Sequence, residues 1–344
     1  VFRASPTISR PWRTRPELPF LLFLVAVLLG YAGLLVLLVA ANALTVSPAL
    51  ALEVLQNPDI RHSIRLTFLT CTATAILSVF IAIPIGYLLS RFQFRGRALL
   101  DTLLDIPILL PPLVVGLSLL ILFNRISPST CCLVLAATLG VATTAGFIAG
   151  LISRLRCHSR RRRHERSILV TLAVLSLALA VAGWLTRSSP GSLESFASGR
   201  LGLAFTFHPL GIVLAQLPVA AAFAIRTLRT TFDQINPRYE SVALTLGCNR
   251  GQAFTRVVLP LAGRGILAAG TLAWARALGE FGPVLVFAGA TRGRTEVLAT
   301  SVFLEINIGN LPGAAAISLL MILIAVATLL VVRLFARDRS PATG

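Results

Sequence analysis

Eight apolar runs, each long enough to cross a bilayer, constrain this sequence more than any other feature. They fall near residues 19–41, 64–90, 102–123, 131–153, 167–186, 208–225, 257–279 and 313–332. A hydrocarbon layer of ~30 Å takes about 20 helical residues to span. With 56% hydrophobic and 13% charged residues among 344, and a mean hydropathy of +0.85, the chain has more apolar surface than one soluble core could hide. The expectation is an all-α polytopic membrane protein of about eight transmembrane helices. The first run follows Arg3, Arg10, Arg13 and Arg15, and Ala41-Asn42-Ala43 imitates a cleavage site. Its length exceeds the ~7–15 residues of a secretory signal core, so it is expected to be a membrane anchor.

A net charge of +18 would suggest a nucleic-acid partner in a soluble protein, so the placement of the charges decides. All 31 basic residues are arginine. With the N-terminus in the cytoplasm, 22 of them fall in inner segments, six in outer loops, and Arg65, Arg264 and Arg276 within spans. This is the positive-inside asymmetry, which puts both termini in the cytoplasm and removes the case for nucleic acid. The Arg run from Arg154 to Ser167 could be a patch for membrane lipid head groups or nucleic acid, but short Arg-rich inner loops are the ordinary outcome of the orientation rule, and it is read as a topology anchor. The absence of lysine excludes a Walker A loop, so any ATP must be hydrolysed by another subunit. Neither the five cysteines nor the four histidines show metal-ligand spacing, and no metal site is expected.

The inner segment between the sixth and seventh spans, Phe232 to Pro260, is too long and too patterned for a simple turn. Asn236 can cap a helix that Pro237 begins, and Gly247 can close it at a left-handed position. A second helix, from Asn249, is expected to run into the seventh span, with Leu259-Pro260 at the membrane surface. A polar helix pair laid on the inner face suits docking to a cytoplasmic partner.

These residues carry a resemblance. Glu240, Gly247 and Leu259-Pro260 match the spacing of the coupling loop of ABC-transporter permeases, although Ser241-Val242-Ala243-Leu244 replaces the usual small residues and a common basic one. The stretches Phe94 to Leu120 and Ala275 to Gly289 resemble the molybdate, tungstate and sulfate branch of that family. The resemblance implies a six-helix permease core and a second permease subunit paired with it, a homodimer being favoured and a heterodimer left open. It also implies ATPase subunits carrying ATP and magnesium, an extracytoplasmic oxyanion-binding protein, and a bacterial-type plasma membrane. The expected organisation is an Arg-rich tail (1–18), core spans one to three (19–126), an insertion with two extra spans (127–204), core spans four to six (205–336, with coupling helices at 237–256) and a tail (337–344). Glu240, Ser241, Ala243, Gly247, Leu259 and Pro260 are the coupling-loop candidates. The function implied is import of molybdate, or tungstate or sulfate, by alternating access.

The stretch WARALGEFGPVLVFAG, from Trp274, places Arg276 and Glu280 on one helix face inside an apolar run, ~28 Å along a seventh span that starts near Val257. A charged residue at mid-membrane costs ~2.5–3.5 kcal/mol, whereas an exposed i,i+4 pair returns only ~0.3–0.5. Gly279, Gly282 and Pro283 should break the helix there, leaving a remainder too short to cross. Two readings stand: Arg276 borders an anion path with Glu280 neutralising it, or the pair pins a broken helix to its neighbours. Pro111-Pro112 is either a gate element or a fixed bend, with the bend favoured. A proton-coupled anion transporter and a membrane enzyme or sensor are the rival functions. The second lacks a nucleophile beside a base, and the first leaves the inner helix pair unexplained.

Overall fold

The computed structural model describes residues 18–94, 96–156, 173–183 and 191–337, and among them every regular element is helical. The N-terminal tail to residue 17, the C-terminal tail from 338 and most of the Arg run lie outside the described residues.

The centre of the bundle is a pair of parallel helices, α3 (Pro58–Arg91) and α9 (Pro209–Gln234). Thr74 meets Gln216, Gly86 meets Leu228 and Ser90 meets Asp233, so the two run side by side with one register from the middle of α3 to its end. Small residues allow this. Cys71, Ala75 and Ala82 of α3 and Ala220 and Ala224 of α9 are all buried, and a Cβ on Gly86 would stand 3.1 Å from the backbone nitrogen of Arg229. In lipid, where apolar side chains gain little by leaving the solvent, such close backbone approach is a main source of helix association.

Running antiparallel against both is α13 (Gly263–Leu278), through buried Ala269, Ala273 and Ala277. Helix α1 (Leu18–Thr45) has no buried side chain in its apolar window and packs on α16 (Leu311–Arg337) at the edge of the bundle. A helix that is apolar all round and exposed all round requires a lipid solvent. Between them, α2 (Pro48–Gln56) begins at a Ser47 cap, and Asn57 both ends it and caps α3.

Among the described residues four helices, α1, α3, α9 and α16, are long and apolar enough to cross unbroken. Two expected spans are bent instead. The run at 102–123 is α4 (Arg97–Leu109) and α5 (Pro112–Arg125), meeting at 105°. Pro112 opens α5 at its first turn, and without an N–H it cannot continue the α4 ladder. The run at 257–279 turns by 70° between Arg250–Leu261 and Gly263–Leu278. A π-helical turn at Phe254–Val258 and Pro260 loosen the ladder just before the corner at Ala262. Counting each bent pair as one span gives six, the number expected for the core.

The expected insertion contributes α6 (Pro128–Arg156), α7 (Ala173–Gly183) and the single turn α8 (Leu193–Phe196). Its second span is described only over α7. Gly183 packs against Cys132 and Leu133, so the start of α6 meets the end of α7 as a hairpin. At its base the Leu193 N–H donates to the Ile126 carbonyl at 3.0 Å, so the chain returns where it left the core. Glu194 then accepts the N–H groups of Phe205 and Thr206 at 2.9 and 3.2 Å, steering the chain into α9.

Candidate functional site

Two places gather the expected functional residues. The first is the hairpin after α9, formed by α10 (Arg238–Thr245) and α11 (Arg250–Ala253). The Asn236 Oδ1 accepts the Arg238 N–H at 3.0 Å, and Gly247 adopts φ +91°. Around that glycine the Cys248 N–H donates to the Ala243 carbonyl and the Gly247 N–H to Leu244, closing α10 as a Schellman motif. Asn249 and Gln252 then exchange side-chain to backbone bonds at 2.8 and 2.9 Å, a capping box that starts α11. The hairpin is thus written locally, which is why it was legible.

What holds it to the bundle was not legible. The Glu240 carboxylate accepts from Arg91 Nε at 2.6 Å and from the Tyr87 hydroxyl at 2.9 Å, both on α3. Arg91 also donates to the Ile235 carbonyl at 2.8 Å. The Tyr87 ring lies 4.5 Å from Phe254 and 5.8 Å from Phe232, centroid to centroid. Glu240 therefore faces the bundle, where Arg91 meets its charge. Ala243 is buried beside it, Ser241 is exposed with its hydroxyl on the Pro237 carbonyl, and Leu259 and Pro260 form the short α12 (Leu259–Leu261) ahead of the corner. The outward side of α10 presents Tyr239, Val242 and, at its end, Leu246, which is 79% exposed. Arginine at position 91 reads in sequence as one more inner-loop charge; only the tertiary fold pairs it.

The second place is the upper part of α13. Arg276 and Glu280 approach to 2.9 Å, with side-chain exposures of 32% and 1%. The contact is a charge pair without aligned hydrogen-bond geometry at Glu280 Oε1. Because α13 starts only after the corner, Arg276 lies ~20 Å along it rather than ~28 Å. A helical side chain leans toward its own N-terminus, and the guanidinium accordingly sits 6.0 Å from the Phe223 ring of α9. The helix breaks as expected: α13 ends at Leu278, Gly279 is exposed, and α14 (Gly282–Phe287) is only six residues long.

A break in lipid is tolerated only if the freed carbonyls find partners. Here the Ala277 carbonyl accepts the Glu280 N–H at 3.1 Å, and buried Gln216 adds a second donor, its Nε2 at 3.1 Å, while the Gln216 Oε1 accepts from Thr74 at 2.9 Å. One side chain stitches α3, α9 and α13 together. Sequence reasoning passed over it, although a glutamine inside an apolar run was the available signal.

The structure also joins two candidate segments far apart in sequence. A Cβ on Gly282 would stand 3.0 Å from the Pro112 Cβ, and one on Gly116 would stand 2.8 Å from the Pro283 Cα. Helix α14 is thus seated on the corner that Pro111-Pro112 makes. On the other side of that corner, α4 is tied to α9 by Asp101 with Arg229 and Asp105 with Arg226, each at 2.6 Å. α15 (Leu298–Asn307) follows, with the Leu298 N–H donating to Thr67 of α3 at 3.0 Å.

Comparison with known proteins agrees with this architecture. The family described as binding-protein-dependent transport system inner membrane component matches residues 82–340. The chain is 28% identical over 266 residues to the sulfate transport system permease protein CysT of Escherichia coli strain K12, covering 77% of this chain and 73% of that one. It is 27% identical over 269 residues to the molybdenum transport system permease protein ModB of Mycobacterium tuberculosis, covering 78% and 77%. It is 26% identical over 236 residues to the molybdate/tungstate transport system permease protein WtpB of Thermococcus kodakarensis, covering 69% and 64%. With an all-helical, multi-pass fold and a match that runs from the last third of α3 past the end of α16, the chain belongs to the family of binding-protein-dependent transport system inner membrane components, as a transport permease subunit of the plasma membrane.

Proposed function

We propose that this subunit carries a tetrahedral oxyanion dianion inward, molybdate being the first candidate and tungstate and sulfate the alternatives. It works as one of two copies, with both termini in the cytoplasm. A separate ATPase, holding ATP and magnesium, docks on the outward side of α10, and an extracytoplasmic binding protein delivers the anion. Closure of the ATPase shifts the population between outward- and inward-open states through the α10–α11 hairpin and the α3 residues that hold it.

The observation that carries the reading is Arg276. A guanidinium one third exposed within a span, with its carboxylate partner buried behind it, is costly in lipid and useful beside an anion. The names of the relatives, for sulfate, molybdenum and molybdate/tungstate transport, support the same substrate class.

The test uses the complex in membrane vesicles with its ATPase and binding protein. Arg276→Gln is expected to assemble with the ATPase and lose oxyanion uptake. Normal uptake by that variant would remove Arg276 from the path. A chain that purifies without any ATPase, under conditions that preserve such complexes, would remove the importer reading itself.

A further inference from the structure

The open face of α9 is polar where a lipid-facing helix should be apolar. Phe223, Thr227, Thr230 and Gln234 follow one another at three- and four-residue steps, so they share a face, with Arg226 and Thr231 at its two margins. Neighbouring helices border that face without covering it. On one margin Arg226 meets Asp105 of α4 at 2.6 Å; on the other, Thr231 touches the position where a Cβ on Gly265 of α13 would stand. Between them lies an open depression of about 330 Å³ lined by Arg226, Thr227, Thr230, Thr231 and Gln234. At its head is Phe223, with the Arg276 guanidinium over the ring at 6.0 Å. From Phe223 to the end of α9 the face is ~16 Å long.

We infer that this face of α9 is one wall of the route by which the oxyanion leaves Arg276 for the hairpin end of the bundle; the inference rests on the importer reading above. The chemistry suits passage rather than storage. A conduction path must bind well enough to admit the ion and weakly enough to release it. Both guanidiniums on the route are already paired, Arg276 with Glu280 and Arg226 with Asp105, so neither presents a full uncompensated charge to a dianion. The three threonine hydroxyls donate to carbonyls of their own helix, Thr227 to Phe223, Thr230 to Arg226 and Thr231 to Thr227, at 2.9 to 3.0 Å. A rotation about one bond turns any of them toward a passing oxygen, and the return rotation releases it.

The experiment places cysteine at the wall, as Thr227→Cys and separately Thr230→Cys, in the complete importer complex in inverted membrane vesicles. An impermeant, charged methanethiosulfonate reagent is applied from the hairpin side. Two quantities are read, the rate of labelling at the new cysteine and molybdate uptake, which in this orientation is the ATP-driven loss to the medium of molybdate loaded with the binding protein into the vesicle lumen. The unsubstituted chain, with its own cysteines, is the reference. The inference expects labelling at the new cysteine, slower labelling in the presence of molybdate, and loss of uptake after modification while ATP hydrolysis continues. It is overturned if both cysteines resist the reagent, which would put the face against lipid or protein. It is equally overturned if they cross-link two copies of the chain, which would make the face a subunit seam, or if they label with no effect on uptake. If the unsubstituted vesicles hydrolyse ATP yet carry none of the three oxyanions, the importer reading fails first and takes the wall with it.

Discussion

Removing the hydroxyl of Tyr87 tests how the hairpin is held. In Tyr87→Phe the ring keeps its packing against Phe254 and Phe232, and the single loss is the 2.9 Å bond to Glu240. A hydrogen bond to a charged acceptor contributes ~1.5–3 kcal/mol, and the half-buried site argues for the lower part of that range. If α10 opens locally from the bundle, that loss raises the open population about tenfold, at ~1.4 kcal/mol per factor of ten. Arg91→Gln removes more, since it deletes both the ion pair and the bond to the Ile235 carbonyl. Hydrogen exchange on the complete complex in detergent reads the opening directly. The amides of residues 241–246 should lose about tenfold of their protection in Tyr87→Phe and more in Arg91→Gln. Those of α3 near Thr74 should be unchanged. In vesicles the same variants should hydrolyse more ATP per oxyanion carried, because a loosened hairpin moves without moving α3. Unchanged protection in α10 for both variants would refute the clamp, whatever happened to transport.

Gln216→Leu leaves the buried Thr74 hydroxyl without its partner and takes one of two donors from the Ala277 carbonyl, which keeps the Glu280 N–H, so it should destabilise the chain by ~1–3 kcal/mol and lower the melting temperature of the purified complex. Gly116→Ala should be far more damaging to folded yield than Gly140→Ala, because the first puts a Cβ 2.8 Å from the Pro283 backbone and the second meets open space. At Gly247 the space is open but φ is +91°, so Gly247→Asn should retain coupling better than Gly247→Val, measured as ATP hydrolysed per anion carried. Glu296, in the loop between α14 and α15, is buried, and that burial raises its carboxyl above the ordinary 4.5, helped by Asp59 and Glu305 and opposed by its contact with Ser301 and the Arg292 charge. A raised value means that the native state holds the proton more tightly, so its stabilising contribution is complete below about pH 4.5 and is lost as pH rises through the native value. Glu296→Gln should therefore raise the melting temperature at pH 7–8 and flatten its dependence on pH.

The parts of the fold that local chemistry encodes were legible in the sequence. Asn236, Pro237, Gly247 and Asn249 each act on their own few residues, and the hairpin they write is the one observed. Gly279, Gly282 and Pro283 likewise end one helix and start another where expected. What the sequence did not reveal are pairings between distant elements. Nothing near Arg91 announces Glu240, and nothing near Pro112 announces Gly282. Prolines marked where continuity fails but not the angle that follows: Pro111-Pro112 left a gate and a bend both open and proved to be a 105° corner, and Pro260, read as the membrane surface, precedes a corner at Ala262. Hydropathy counts apolar length, and a bent helix has the same length as a straight one.

The bond from the Leu193 N–H to the Ile126 carbonyl, at 3.0 Å, has a use in protein engineering. A carbonyl that accepts from the residue three positions on is the signature of a β-turn, and a turn needs only two residues between its ends. The geometry at Ile126 and Leu193 is therefore that of a chain already closed, with α6 and α7 hung on it like a pendant. Splicing an Asn-Gly pair in place of residues 127–192 should give a shortened permease whose remaining helices need not move. The same joint could receive a fluorescent reporter or a crystallisation chaperone, making the insertion an exchangeable cassette.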